Sequence, residues 1–452
     1  MNIHIKACLA AIVFSLLFYS KSIGLNLFLI SIIVVLLLTS LRKRNKTFWG
    51  FGLVYIFTAL MVIADPTPFK ICTHLMSFLV LIGKTISEKS SLYISWFVGL
   101  VNMVIASIFH LNGYLKNPMP DKKKLSPKII NSIKGVVLAI VLILFFSILY
   151  RNANPVFDNF VSLINIDFIF LHILRPYTPE KLIKLDISQK NTLKAPKETF
   201  LFQNQLLLEG EHTLGSIVFM ALNTLLIVFL ITDIIYLFNT DVVTNASYSK
   251  SVHQGIYALL FSIICAIIII LYFFRSDLNF FKGNKRIKRL AYLWIILNMI
   301  LVFFTWYKNY LYVEALGLTY KRIGVFVYLL LTITGLCTTY LKVAQIKSFI
   351  YLVRTNIATL FTFLLLSTTI PWDRAITSYN LLNIKNPDIQ YLINLGDSNS
   401  VLLHKYTFTQ NKYLKKDQVK YINQKYTDFI KEQTEKTWQE FTFYQLTNSL
   451  KK

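Results

Sequence analysis

Asp233 is the one acidic residue in its apolar run, which contains Leu230-Ile231-Thr232-Asp233-Ile234-Ile235. A carboxylate in hydrocarbon faces a bundle interior or water and takes a partner. Asp233 therefore marks a proton or ion site, a substrate contact, or a structural ion pair. Lys308, Glu314 and Arg322 lie within fifteen residues of one another, between two further apolar runs. With Asp233 they form a candidate polar cluster. Working as a site, it would carry protons or ions. Working structurally, which is the commoner case, it holds the runs at 213–238, 290–311 and 323–341 in register. Thr319 stands where the second of these later runs begins, and its hydroxyl suits the capping of free helix N–H groups. Gly317 would supply the turn before it, so this hinge needs no catalytic explanation.

Arg354 and Asn356 sit near the start of the last apolar run, where an Arg commonly snorkels to headgroups. Asn102, His110, Asn223 and Asn298 lie inside other runs. Such residues are expected to hydrogen-bond between helices, each contributing under about 2 kcal/mol. The seven histidines show no spacing suited to a metal. There is no Gly-x-Ser-x-Gly, no Walker A and no Gly-x-Gly-x-x-Gly in strand context. Hydrolase and nucleotide chemistry have no support, and neither a cofactor nor a metal is expected.

The elements that must position these residues are apolar helices. Of 452 residues, 55% are hydrophobic and 15% charged, against about 45–50% and about 25% in a soluble domain. Apolar runs long enough for a hydrocarbon core of about 30 Å occur at 4–20, 25–41, 48–64, 69–87, 91–112, 133–150, 213–238, 255–274, 290–311, 323–341 and 349–370. A twelfth, 157–174, is weakened by Asp158, Asn165 and Asp167. Lys6 precedes the first run and no small-x-small site follows, so that run reads as an uncleaved span. The expected fold is all-α: a polytopic transmembrane helix bundle of about 11–12 spans with a small C-terminal α-helical soluble tail. Residues 1–112 are the N-terminal membrane helices. Residues 113–370 form a second membrane domain with a cytoplasmic polar loop near 175–212. Residues 371–452 form the tail, with about a dozen Lys/Arg against eight Asp/Glu and apolar positions at Ile389, Leu392, Ile393, Val401 and Leu402.

The net charge of +25 would suggest nucleic acid in a soluble protein. Here the positives cluster between spans, as in Arg42-Lys43-Arg44 and Lys285-Arg286-Ile287-Lys288-Arg289. That placement suits anionic lipid headgroups and excludes nucleic acid as the expected partner. If 157–174 crosses, the loops 114–134, 175–199, 275–289 and 342–347 share the cytoplasmic side, with 239–254, 312–322 and the tail opposite. The front half conflicts: the clusters at 42–44 and 122–124 both want the cytoplasm, yet three spans separate them. Either one cluster breaks the rule or one of those spans is re-entrant. Pro66, Pro68, Lys70 and His74 make 69–87 the leading candidate for re-entry. Cys8, Cys72, Cys265 and Cys337 form no Cys-x-x-Cys and read as small buried hydrophobes.

The motifs Lys308-Asn309-Tyr310-Leu311-Tyr312, Gly317-Leu318-Thr319-Tyr320-Lys321-Arg322, Tyr351-Leu352-Val353-Arg354-Thr355-Asn356, and Trp372-Asp373 followed by Tyr379-Asn380-Leu381 have a familiar pattern. Gly24-Leu25-Asn26, Asn154-Pro155-Val156-Phe157 and Val252-His253-Gln254-Gly255 continue it. The chain resembles the bacterial membrane family of domain of unknown function 4173, related to 4153, in its Bacteroidetes-type branch. One departure is that the span after Asn154-Pro155-Val156-Phe157 is cut short by His172, Arg175 and Pro176. The resemblance implies a multi-pass protein of the bacterial cytoplasmic membrane, and it adds Asp373 and Asn380 to Arg354 and Asn356 as secondary site residues. It lends no mechanism. Two functions follow as expectations. The first is a non-enzymatic assembly, sensor or envelope-associated protein whose tail binds a protein partner. The second is a secondary transporter using Asp233, Lys308, Glu314 and Arg322.

Overall fold

Runs of about twenty apolar residues satisfy their own backbone polar groups only as helices when lipid surrounds them, and helices are what form. The computed structural model describes residues 3–39, 45–115, 178–196, 205–239, 261–275, 277–410 and 414–445. Among these the chain forms α1 (Ile3–Phe18), α2 (Leu25–Thr39), α3 (Lys46–Ala64), α4 (Pro68–Ile86), α5 (Leu92–Leu115), α6 (Glu180–Ser188) and α7 (Gln205–Asn239). After them come α8 (Phe261–Phe273), α9 (Lys285–Leu316), α10 (Tyr320–Ala344) and α11 (Phe349–Ser367). The tail forms α12 (Trp372–Asn383), α13 (Ile389–Ile393), α14 (Ser400–Gln410) and α15 (Lys416–Glu435). No strand forms among the described residues. The runs expected at 133–150 and 157–174 lie outside them, as do the clusters at 42–44 and 122–124 and the Asn154 and Val252 motifs.

Among the described residues, six helices are long and apolar enough to cross a bilayer: α3, α4, α7, α9, α10 and α11. Four shorter apolar helices, α1, α2, α5 and α8, accompany them. All ten coincide with runs expected to span. α7 exposes Leu214, Ile217, Leu225, Val228, Ile231 and Ile235, more large apolar surface than water tolerates on one helix, so hydrocarbon is its solvent. The cysteines need correction: Cys8, Cys72 and Cys337 are exposed and Cys265 half-buried. A lipid-facing position accepts a thiol as readily as a core does.

The chain divides into two compact units, residues 1–187 with 432–452, and residues 188–431. In the first unit, α4 is continuous over nineteen residues, with no break in the segment suspected of re-entry at 69–87, and it is long and apolar enough to cross. Pro68 sits at the helix start, where it lacks no needed N–H, so the prolines begin this helix rather than break it. α5 packs antiparallel on α4 with backbones nearly touching. A Cβ on Gly83 would stand 1.9 Å from the Ser95 carbonyl, and one on Gly99 2.0 Å from that of Leu79. Small residues permit this approach where hydrophobic driving force between helices is absent. Asp186 of α6 accepts from the Ser91 N–H at 2.7 Å, the Ser91 hydroxyl at 2.8 Å and the Tyr93 hydroxyl at 3.0 Å. It thereby caps the α5 start with a favourable negative charge.

In the second unit, α7, α8, α9 and α10 surround a core that includes Phe219, Ile270, Phe274, Ile287, Leu301, Leu329 and Leu336. At one end, three of the four basic loops expected on one side come together. The Ser348 N–H donates to the Asn191 carbonyl at 2.9 Å, and the Leu193 N–H to that of Ile346 at 3.0 Å. The buried Lys342 ammonium donates to the Phe274 carbonyl at 2.6 Å, closing the C-terminus of α8. The α9–α10 hinge lies at the opposite end, because α9 and α10 run antiparallel (Tyr292 against Tyr340, Trp306 against Phe326).

Candidate functional site

The sequence-derived cluster separates into two parts within the second unit. Asp233 of α7 and Lys308 of α9 form a hydrogen-bonded ion pair with side chains only 10% and 17% exposed. Asp233 Oδ2 is buried with no hydrogen-bond partner. Glu314 and Arg322 are not part of this pair. Glu314 is exposed, beside Tyr379, whose phenol is pushed up by burial and then by the nearby Tyr310 and Glu314. Arg322 Nη1 donates to the Leu316 carbonyl at 2.9 Å and also to that of Gly317, and its guanidinium lies 4.1 Å above the Tyr312 ring. This Arg ties the hinge to itself.

The hinge obeys its local chemistry. Gly317 has φ +85°, a conformation that L side chains rarely adopt. Thr319 caps α10 by accepting the Arg322 N–H at 3.3 Å, as its residue type predicts. The Asn309 amide donates to the Arg322 carbonyl at 3.1 Å.

The tail docks onto this hinge. Asn380 of α12 donates to the Leu318 carbonyl at 2.9 Å and accepts the Leu318 N–H at 2.5 Å. The Tyr320 hydroxyl donates to the buried Asp373 carboxylate at 2.7 Å, and the Tyr320 N–H to the Tyr391 hydroxyl at 3.0 Å. Burial pushes the Tyr391 phenol up. Leu318 and Ile323 pack against a tail core of Ile376, Ile389, Leu392, Leu403 and Ile422. Leu403, rather than Val401 or Leu402, faces that core. Lys425 closes the tail by donating to the Ile393 and Leu395 carbonyls at 2.8 and 2.6 Å, and burial pushes its ammonium down. Asp373 and Asn380, which sequence resemblance alone had marked, are thus joined to Thr319 and Arg322 through the hinge.

Arg354 and Asn356 lie elsewhere. Arg354 donates to the Gln189 carbonyl at 3.1 Å and the Asn191 side chain at 2.8 Å, so it is tied to the loop that follows α6. Asn356 pairs with the Thr338 hydroxyl at 3.2 Å, an interhelical bond between α10 and α11.

Sequence reasoning missed the polar interior of the first unit. Asp65 and Lys70 form an ion pair at 3.2 Å with side chains 4% and 3% exposed. Tyr444, from the C-terminal strap 432–445, donates its hydroxyl to Asp65. Further along α4, His74 lies 3.0 Å from the Thr58 hydroxyl and 3.4 Å from that of Ser31. The signal was present: Lys70, His74 and Ser77 fall on one helical face. The partner Tyr444, 379 residues from Asp65, had none.

The strap is held at the α1–α2 turn as well. The Ser22 N–H donates to Glu440 at 2.8 Å, Lys21 lies 3.7 Å from its carboxylate, and a Cβ on Gly24 would stand 2.5 Å from the Glu440 backbone. Asn26 shapes this turn by accepting the Gly24 N–H at 2.8 Å and donating to the Ser22 carbonyl at 2.8 Å.

Ten apolar helices, charged residues drawn into pairs and caps, and an extramembrane tail bonded to a helical hinge define a polytopic α-helical membrane protein. The chain belongs to the family of the domain of unknown function DUF4153, whose model matches residues 5–406. No curated protein and no solved structure matches it.

Proposed function

We propose that this is a non-enzymatic integral protein of a bacterial cytoplasmic membrane, acting in assembly, sensing or envelope association through a protein partner bound by its tail. The hinge motifs and the Trp372-Asp373 and Tyr379-Asn380-Leu381 motifs favour the 4173-like, Bacteroidetes-type branch within the wider family. The observation that carries the functional reading is the paired Asn380–Leu318 bond, which makes the tail a continuation of the α9–α10 hinge. A tail fixed this way transmits displacement between membrane and partner, which a tethered domain would not. Its exterior offers apolar contacts in Leu382 and Phe408, 81% and 76% exposed. The basic end of the second unit suits the cytoplasm and its anionic headgroups, which leaves hinge and tail on the other side.

Secondary transport is the alternative, supported by Asp233 Oδ2, buried without a hydrogen-bond partner in a membrane helix. It keeps only Asp233 and Lys308 of its four residues, since Arg322 serves the hinge and Glu314 is exposed. Complementation of a deletion strain separates the two. The expected result is that Asp233→Asn accumulates and complements, whereas Leu382→Asp with Phe408→Asp accumulates and does not. The reverse pattern would replace this reading with transport.

A further inference from the structure

α4 turns its polar stripe inward. Lys70, Thr73, His74 and Ser77 follow the i, i+3, i+4, i+7 spacing of one helical face, and all four are buried. Two hydroxyls flank the His74 ring and a third backs one of them. Ser31 of α2 lies 3.4 Å from Nε2, Thr58 of α3 lies 3.0 Å from Nδ1, and Ser77 lies 2.9 Å from Thr58. Each also has a backbone carbonyl within reach: Leu27 for Ser31 at 2.6 Å, Tyr55 for Thr58 at 2.8 Å, and His74 itself for Ser77 at 2.7 Å.

A hydroxyl has one proton to donate and two lone pairs to accept with. When Ser31 and Ser77 donate to their carbonyls, the Thr58 proton has a choice. Turned toward the Tyr55 carbonyl or Ser77, it leaves Thr58 and Ser31 as acceptors facing both ring nitrogens, which satisfies a doubly protonated imidazolium. Turned toward Nδ1, it satisfies the neutral ring carrying its proton on Nε2. The Tyr55 ring is stacked on His74 with centroids 4.5 Å apart and planes 14° apart, so the electron-rich face of an aromatic covers the cation. Rotation of one hydroxyl therefore gives both ring nitrogens a hydrogen-bond partner in either protonation state with no helix moving.

We propose that His74 is a reversible proton-binding site of the membrane bundle, and that its charge is felt by the Asp65–Lys70–Tyr444 latch one helical turn away. A proton from water adds to the ring lone pair and gives imidazolium; no other bond forms or breaks. The new charge stands four residues from the Lys70 ammonium on the same face, where like charges repel, more strongly in a medium that screens poorly. Lys70 shifts from Asp65, and the carboxylate that holds Tyr444 is left without its counter-ion. The strap loosens. The inference does not depend on what the tail binds.

The other groups facing this stripe do not account for such a response. α2 contributes Ser31 and no charge, and α3 contributes Tyr55 and Thr58, with Asp65 just beyond its end. α5 between Leu92 and Met103 has Tyr93 as its one titratable residue, bonded to Asp186 near its start. On the strap, Glu440 is held at about 2, well below the range in which a histidine titrates.

The test uses the full chain in nanodiscs, with nitrogen-labelled histidine, between about pH 4 and 8. The imidazole signal of His74 should pass reversibly between neutral and doubly protonated forms. Hydrogen exchange of residues 437–445 should rise severalfold with that transition, and His74→Gln should abolish the rise. If His74→Gln does not accumulate, Ser31→Ala assigns the signal by removing the acceptor at Nε2, and the wild-type titration still decides. A His74 ring fixed in one state throughout overturns the proposal, as does a strap that responds equally to pH in wild type and His74→Gln.

Discussion

Asn380 grips both backbone polar groups of Leu318, donating to its carbonyl at 2.9 Å and accepting its N–H at 2.5 Å. This is strand-like pairing performed by a side chain, and it joins the tail to the α9–α10 hinge. Asn380→Ala leaves a part-buried donor and acceptor unsatisfied, at about 1–3 kcal/mol. Asn380→Asp keeps the acceptor and loses the donor, so it should cost less. Limited proteolysis in detergent should cleave the segment between Ile370 and Pro387 fastest in Asn380→Ala, slower in Asn380→Asp and slowest in the wild type.

Gly317 sets the hinge angle, and a Cβ there would stand 2.6 Å from Asn380 Oδ1. Gly317→Ala meets two penalties, an extended positive-φ backbone (φ 85°, ψ 175°) worth roughly 1–3 kcal/mol and displacement of the Asn380 amide. Thermal unfolding should fall by more than in Thr319→Ala, where loss of the cap costs about 1 kcal/mol. Equal shifts in the two variants would mean that Asn380 yields freely.

Breaking the Asp65–Lys70 pair should be costlier than deleting it. Lys70→Met leaves a buried carboxylate without its cation, at about 3–5 kcal/mol. The double variant Asp65→Leu with Lys70→Met removes both charges and should regain most of that loss, apart from the Tyr444 bond. A double-mutant cycle read by thermal unfolding in detergent measures the coupling directly.

Glu440 makes the strap sensitive to strong acid. Burial works against its charge, but the Ser22 and Thr437 N–H groups and hydroxyls outweigh it and hold the carboxyl down at about 2, from an ordinary 4.5. A carboxyl depressed by folding contributes its stability in full above the unfolded value and loses it as pH falls through the folded value. Protection of residues 437–445 from hydrogen exchange should therefore decline between about pH 4.5 and 2. In Glu440→Gln this part of the decline should vanish.

The candidate site was only partly readable. Thr319 announced its cap and Gly317 its turn, because both act on backbone groups within a few residues. Asp233 announced the need for a partner, and Lys308 proved to be it. The grouping of Glu314 and Arg322 with that pair failed because nearness in sequence does not say which way a side chain points. Arg322 found the carbonyls of its own hinge, six residues back or fewer.

Composition and the length of the apolar runs determined, unaided, that the protein is a helical bundle in lipid and where ten of its helices lie. Hydrocarbon leaves a backbone no alternative to bonding itself. The pairings between remote segments were decided by tertiary structure alone: Tyr444 on Asp65, Asp186 on the start of α5, Asn380 on Leu318. Each is a hydrogen bond whose partner could have been any of many polar residues, and only packing chooses among them.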